Sequence, residues 1–116
     1  MARSKGLAQA HDAHGFTALH YGARLGHANV VRRLLDCGAD VDAPTRGLGA
    51  TPLMRALVGR HPAVVALLLD RNAALGSRNA DNEDAALLAA ASDDLATRTA
   101  FFGHPRLRLS DKLDVL

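Results

Sequence analysis

Large rings are scarce in this chain. Its 116 residues include three Phe, one Tyr and no Trp, so only 3% are aromatic. That argues against the exposed ring platforms on which single-stranded nucleic acid bases stack. Cysteine is scarcer still: Cys37 stands alone, which excludes an intrachain disulfide and the disulfide-stapled scaffolds of secreted domains. Glu83 is the single Glu, and Lys5 and Lys112 are the two Lys. One Glu leaves little material for paired-carboxylate catalysis. Long apolar runs are missing too, and a stretch such as Ala63 to Leu69 is far too short to span a bilayer. The opening, Met1 to Gly6, has basic residues with no apolar run behind them, so it does not read as a signal peptide. The expectation is a soluble, cytoplasmic protein in a reducing compartment.

What the chain has is small aliphatic mass. Hydrophobic residues make up 48%, mostly Ala, Leu and Val, enough for one domain built of packed helices. Fourteen Lys and Arg stand against twelve Asp and Glu, a net charge of +2 with His neutral. Arg and Asp alternate along most of the sequence, so charge is not clustered as a polyanion-binding surface requires. The Arg and Ala bias suggests a GC-rich, bacterial genome.

Sliding the chain by 34 residues lays 12–44 onto 46–78 with ten identities: Gly15/Gly49, Thr17/Thr51, Leu19/Leu53, His27/His61, Val30/Val64, Val31/Val65, Leu34/Leu68, Leu35/Leu69, Asp36/Asp70 and Ala39/Ala73. Chance would give roughly three or four at this composition. Each unit reads as turn, helix, turn, helix. Thr17 and Thr51 are the expected N-caps, with Pro52 at the first helical position. Gly26 and Gly59 are expected to end the first helix, which is lined with small residues (Ala18, Gly22, Ala23; Ala56). Val30, Val31, Leu34 and Leu35, and likewise Val64, Val65, Leu68 and Leu69, lie at helical spacing on one face of the second helix. Gly38 and Asn72 end it, the two residue types that best tolerate a left-handed C-cap.

The blocks Asp12-Ala13-His14-Gly15-Phe16-Thr17-Ala18-Leu19-His20, Gly26-His27, Val30-Val31, Leu34-Leu35 and Gly38-Ala39-Asp40-Val41 resemble an ankyrin repeat. Thr51-Pro52-Leu53, His61, Val64-Val65, Leu67-Leu68-Leu69 and Ala73 resemble a second. The resemblance implies an all-α solenoid of helix–turn–helix units joined by β-turn fingers, with fingers and first helices on a concave face and second helices on the convex side. Three departures stand out. The finger from Pro44 to Gly49 is one residue longer than usual, Met54 replaces the motif His, and Arg60 stands where the family favours Gly.

The expected organisation is an uncapped N-terminal extension over 1–11, repeat 1 over 12–44, repeat 2 over 45–78, a degenerate third repeat or C-terminal cap over 79–103, and a tail over 104–116. In the third unit Asp84 fits the Thr position as an N-cap. Aligning Leu87 on Leu53 instead shifts the register by one, and the sequence leaves both open. Asp93 to Phe102 is its second helix, ended by Gly103-His104-Pro105. Residues Lys5 to Ala8 mimic the tail of a preceding unit. The tail reads as a cap on the last helix pair, a short strand or a linker. A solenoid needs about three stacked units for stability. The short stack therefore implies marginal stability, or burial of its N-terminal side by self-association or by a longer natural context.

Chemistry-bearing patterns are few. His11, His14, His20 and His27 cluster in sequence ahead of Cys37, but a zinc site needs about four convergent ligands. By resemblance, His20, His27 and His61 serve turn and loop hydrogen bonds instead, so no metal is expected. No Ser lies in a nucleophile elbow. Asp36 beside Cys37 opposes thiolate formation, which leaves Cys37 as an exposed free thiol. Gly47-Leu48-Gly49 lacks the third glycine and the Lys-Ser/Thr of a phosphate loop. Asp93-Asp94 near a helix start complements the helix dipole. No cofactor and no catalytic residue is expected.

By resemblance, partner contacts come from finger tips and exposed first-helix positions. Carried over, these are Ala13, His14, Phe16, Tyr21, Arg24 and Leu25 in the first unit, and Gly47, Leu48, Ala50, Arg55 and Val58 in the second. His14, Phe16, Tyr21, Arg24, Leu25, Leu48, Arg55 and Val58 form the candidate protein-binding set. Phe16, Tyr21, Arg24 and Arg55 lead it, since aromatics and Arg dominate interface energetics. The competing reading packs Phe16 and Leu25 between units and leaves the Arg side chains to solvent. The expected function is a non-enzymatic protein–protein interaction module with a preformed face and an unidentified protein partner. Alternatives are a regulatory or inhibitory fragment of a larger ankyrin-containing protein, and less favoured, an enzymatic accessory domain or a nucleic-acid binder using Arg106, Arg108 and Lys112.

Overall fold

Helix starts are set by side-chain oxygens. Thr17 Oγ1 accepts from the His20 amide, Thr51 Oγ1 from Met54, Asp84 Oδ1 from Leu87, and Asp94 Oδ2 from Thr97. Each satisfies a first-turn donor that has no partner within its helix. The computed structural model describes residues 9–107. In it these caps open α1 (Ala18–Leu25), α3 (Pro52–Val58), α5 (Ala85–Ala91) and α6 (Leu95–Phe102). The remaining helices, α2 (Ala28–Asp36) and α4 (Pro62–Asp70), start after His27 and His61. A 3-10 turn, Pro105–Leu107, follows α6. Among the described residues there is no strand, only an isolated bridge between His11 and Thr17. The architecture is the all-α solenoid that the repeat implies.

The helices form two rows. First helices α1, α3 and α5 pack side by side; second helices α2, α4 and α6 do the same; each first helix packs on its own second helix. Small residues let them approach, since Ala23, Ala56, Ala85 and Ala89 are all buried. Leu19, Leu53, Leu57, Val64, Val65, Leu68 and Leu69 fill the layers between. One large ring, Phe101, closes the core at the far end and is wholly buried. Phe102 packs edge-on against it and stays exposed.

Position in the row decides burial. Central α4 has neighbours on both sides and buries Val64, Val65, Leu67, Leu68 and Leu69. Edge helix α2 carries the same pattern but buries only Val31. Val30 is 47% exposed, while its counterpart Val64 is fully covered. The shared apolar spacing of the two helices therefore overstates what α2 buries, because no described unit lies beyond it.

The finger geometry fixes the register of the third pair. In the first finger the Asp12 amide donates to the Phe16 carbonyl, and in the third Asn79 donates to Glu83, each spanning four residues. In the second, Thr45 donates to Ala50 across five. The extra residue thus sits in the second finger, and Asp84 takes the place of Thr51. Leu87 then falls at the Met54 position and is 51% exposed, which disfavours its alignment on buried Leu53.

Beyond α6, Arg106 donates to the carbonyls of Leu69 and Ala73, His104 contacts Asp70 at 2.7 Å, and Leu107 packs on the core. This part of the tail lies over the end of α4, as a cap would, and the strand alternative does not hold for Pro105–Leu107. The tail readings for 108–116 and the Lys5 to Ala8 reading lie outside the described residues. Asp94 is the N-cap of α6, while Asp93 pairs with Arg60 at 3.2 Å rather than capping.

The helix ends separate two backbone solutions. Gly38 and Asn72 both take positive φ, 92° and 66°. Gly26 ends α1 at φ 80°. Gly59, expected to do the same for α3, is right-handed at φ −74°, and the left-handed turn falls to Arg60 at φ 62°. Arg60 is the residue aligned with Gly26, so a side chain sits where left-handed backbone disfavours one. Arg60→Gly is expected to stabilise the chain by about 1 kcal/mol, less the small worth of its exposed ion pair. Gly26→Ala is expected to destabilise it by about 1–2 kcal/mol or more, because its Cβ would also run into the His61 ring. Urea unfolding of the two variants checks both signs.

Candidate protein-binding face

The first finger is built by Asp12. Its Oδ1 accepts from the amides of His14 and Phe16, at 2.9 and 3.0 Å, and folds the turn. Asn79 repeats this in the third finger, accepting from Asp81 and Glu83. Successive fingers are joined backbone to backbone: Arg46 N–H donates to the His14 carbonyl at 2.8 Å, and Ala80 N–H to that of Leu48 at 2.7 Å.

His20 ties these parts together. Its Nδ1 accepts from the Thr17 amide at 3.0 Å, so the proton lies on Nε2, which donates to the Ala50 carbonyl at 3.0 Å. One fully buried ring thereby links the first finger, helix α1 and the base of the second finger. At the equivalent position Met54 is buried and offers no such bond. On the opposite side His61 Nε2 donates to the Arg24 carbonyl at 2.7 Å and fixes the end of α1 against α4.

On this frame, four of the expected residues converge. The Phe16 ring lies 5.4 Å from the Tyr21 ring, and the Arg55 guanidinium sits 5.2 Å above the Phe16 centroid. The Tyr21 hydroxyl donates to Asp12 Oδ2 at 2.6 Å. Arg24 lies near enough for its charge to act on Arg55. Phe16 is half-buried, so it both bridges units and faces outward. Leu25 does not pack between units and is 58% exposed. Leu48 and Val58 line a cleft of about 190 Å³ with Ala50, Met54, Arg55 and Leu88. The tip residues Ala13, His14 and Gly47 are exposed.

Three contributors, Asp12, Asp81 and Glu83, are not marked as such by the sequence. Asp12 reads there only as a motif position, although its carboxylate orients Tyr21. Asp81 and Glu83 also line the cleft, and the register ambiguity hid them, since only the finger geometry places them beside Leu48 and Ala50.

The other candidates disperse. His11 bonds the Asp12 carbonyl and His104 contacts Asp70. His27, expected to hydrogen-bond like His61, makes no ring hydrogen bond among the described residues. The acceptor of His61 belongs to the preceding helix pair, and α2 has no preceding pair among the described residues. No three His, Cys, Asp or Glu side chains among the described residues come together as metal ligands would. Cys37 is exposed. No helix among the described residues is long and apolar enough to cross a membrane.

A protein-family model, Ankyrin repeat, matches residues 14–46 and 48–83, more than half of the chain. The chain belongs to the ankyrin-repeat family. Ankyrin repeats generally act as protein–protein interaction modules rather than as enzymes. The two matched stretches leave out Gly47, within the finger that carries the extra residue.

Charge tuning in this ankyrin chain follows from its contacts. The Tyr21 hydroxyl, then the Phe16 amide, hold Asp12 below the usual carboxylate range, and Asp12 in turn raises Tyr21. Burial pushes Arg55 down, with the Arg24 charge adding to it, although a guanidinium stays charged at neutral pH. Burial also lowers His20 from its ordinary 6.5, against the opposing effect of its bond to Ala50. The unfolded chain thus binds a proton at His20 more readily than the folded one. Its contribution to stability is complete above about pH 6.5 and is lost as pH falls through the depressed folded value. Acidification from about pH 7.5 to 5.5 is expected to lower the melting temperature, and His20→Gln to flatten that slope while lowering stability at pH 7.5. Melting curves at matched ionic strength check both.

Proposed function

We propose that this chain is a non-enzymatic protein–protein interaction module that binds a partner protein through its fingers and first helices. The observation that carries the reading is the outward cluster of Phe16, Tyr21 and Arg55, held rigid by Asp12 and His20 and flanked by exposed Leu25, Leu48 and Val58. Aromatic, Arg and aliphatic groups on a rigid support are the composition of interface anchors, and rigidity limits the ordering cost of binding. His14 and Arg24 extend the same face. The third helix pair, within 79–103, serves as the terminal cap in this reading. Its Leu87 and Leu95 face solvent.

The test is affinity capture with the wild type, the triple variant Tyr21→Ala, Arg24→Ala, Arg55→Ala, and a control with Arg32→Ala and Arg33→Ala on α2. A partner held through this face is expected to be retained by the control and weakened about 30-fold or more by the triple variant, the effect of losing one or more hot spots. Partners retained equally by all three contradict it.

A second contact with a second copy of the chain is favoured by one observation. Val30 on α2 is 47% exposed where its counterpart on α4 is covered. Self-association through this side predicts a dimer in sedimentation that Val30→Glu dissociates; a monomer at high concentration removes it.

A further inference from the structure

We propose that the interaction face takes an acidic peptide segment, with a partner carboxylate seated between Arg24 and Arg55 and a neighbouring aliphatic side chain in the cleft beside Val58. This rests on the reading of that face as the binding surface and adds the chemistry of its partner.

Ten Arg lie among the described residues, and six of them donate to an acceptor within the chain. The four with no acceptor among the described residues are Arg24, Arg33, Arg46 and Arg55, and three of these belong to the fingers and first helices of the first two units. Arg55 is the most constrained. Its Nε is buried with no hydrogen-bond partner among the described residues. Its terminal nitrogens, by contrast, are not buried and make no hydrogen bond among the described residues, so they are the donors that a partner carboxylate can reach. The Phe16 ring, 5.2 Å from the guanidinium carbon, supports the group by a cation–π contact and leaves its terminal donors free for a carboxylate.

The neighbouring carboxylates among the described residues do not meet this need. Asp12 is occupied by two backbone amides and the Tyr21 hydroxyl. Asp81 and Glu83 share the cleft with Arg55, yet no ion pair joins either to it within 4.0 Å. They do set a limit on the partner. A polyanion such as nucleic acid would run its charges past Asp81 and Glu83, whereas a single carboxylate on the Arg24 side avoids them. Leu48, Val58 and Leu88 supply the apolar wall for the adjoining aliphatic group.

The test pans a random dodecapeptide display library over the full chain and measures the enriched peptides by fluorescence anisotropy. The expected result is enrichment of Asp or Glu next to an aliphatic residue. Binding should fall about tenfold or more in Arg24→Gln/Arg55→Gln and recover in part in Arg24→Lys/Arg55→Lys. Exposed Arg24→Gln alone should weaken it about threefold or more with an unchanged melting temperature, which separates binding from folding. Acidic peptides that bind the double Gln variant as well as the wild type overturn the proposal. Enriched peptides without acidic residues that are lost on Leu48→Arg/Val58→Arg overturn the carboxylate chemistry and leave the binding face standing. Peptides indifferent to every one of these substitutions overturn both. A library that yields no acidic binder, or a stronger affinity for heparin than for any peptide, also overturns the proposal.

Discussion

A buried imidazole couples the first two units of this chain. His20 holds Thr17 on one side and the Ala50 carbonyl on the other, so finger, first helix and next finger are tied to one another. The coupling matters because no helix pair here can bury its own apolar face. Each relies on its neighbour, and stability in such a stack is close to a sum of units and interfaces. Where the ring is replaced by Met54, the second and third units are joined by the finger ladder, by apolar packing and by side-chain links such as Arg60 to Asp93 and Arg106 to the Leu69 and Ala73 carbonyls. The convergent face sits on the two units that this ring joins.

The scarcity of rings acquires a meaning from this arrangement. Thin layers of Ala and Gly bring short helices close, and Val and Leu fill the space between them. Large rings then go where packing changes. Phe101 closes the end of the core, while Phe16 and Tyr21 stand on the finger and first helix, with Arg55 over the Phe16 ring. The rings that the core does not need are those most available to a partner.

Much of the architecture was legible because the caps are local. Thr17, Thr51 and Asp84 announce helix starts through side chains that act on amides three residues away, and Gly38 and Asn72 announce ends through their tolerance of positive φ. What stayed hidden depends on neighbours. Val30 and Val64 share a pattern, yet only their place in the row decides that one is exposed. Arg60 takes the left-handed turn because Gly59 is used to continue the right-handed one, a choice that no residue preference reveals. The candidate face was legible as motif positions, and the structure added what links them: the Asp12–Tyr21 bond, the Arg55–Phe16 stack, and the approach of Asp81 and Glu83.

The central claim is that fingers and first helices of the first two units form one rigid binding face. Amide hydrogen exchange of the full chain, with and without a saturating bound peptide or partner, tests it most directly. The account predicts added protection in residues 12–25 and 46–58, with α2 and α4 unchanged. Protection that appears instead along Ala28–Asp36 and Pro62–Asp70 would contradict it.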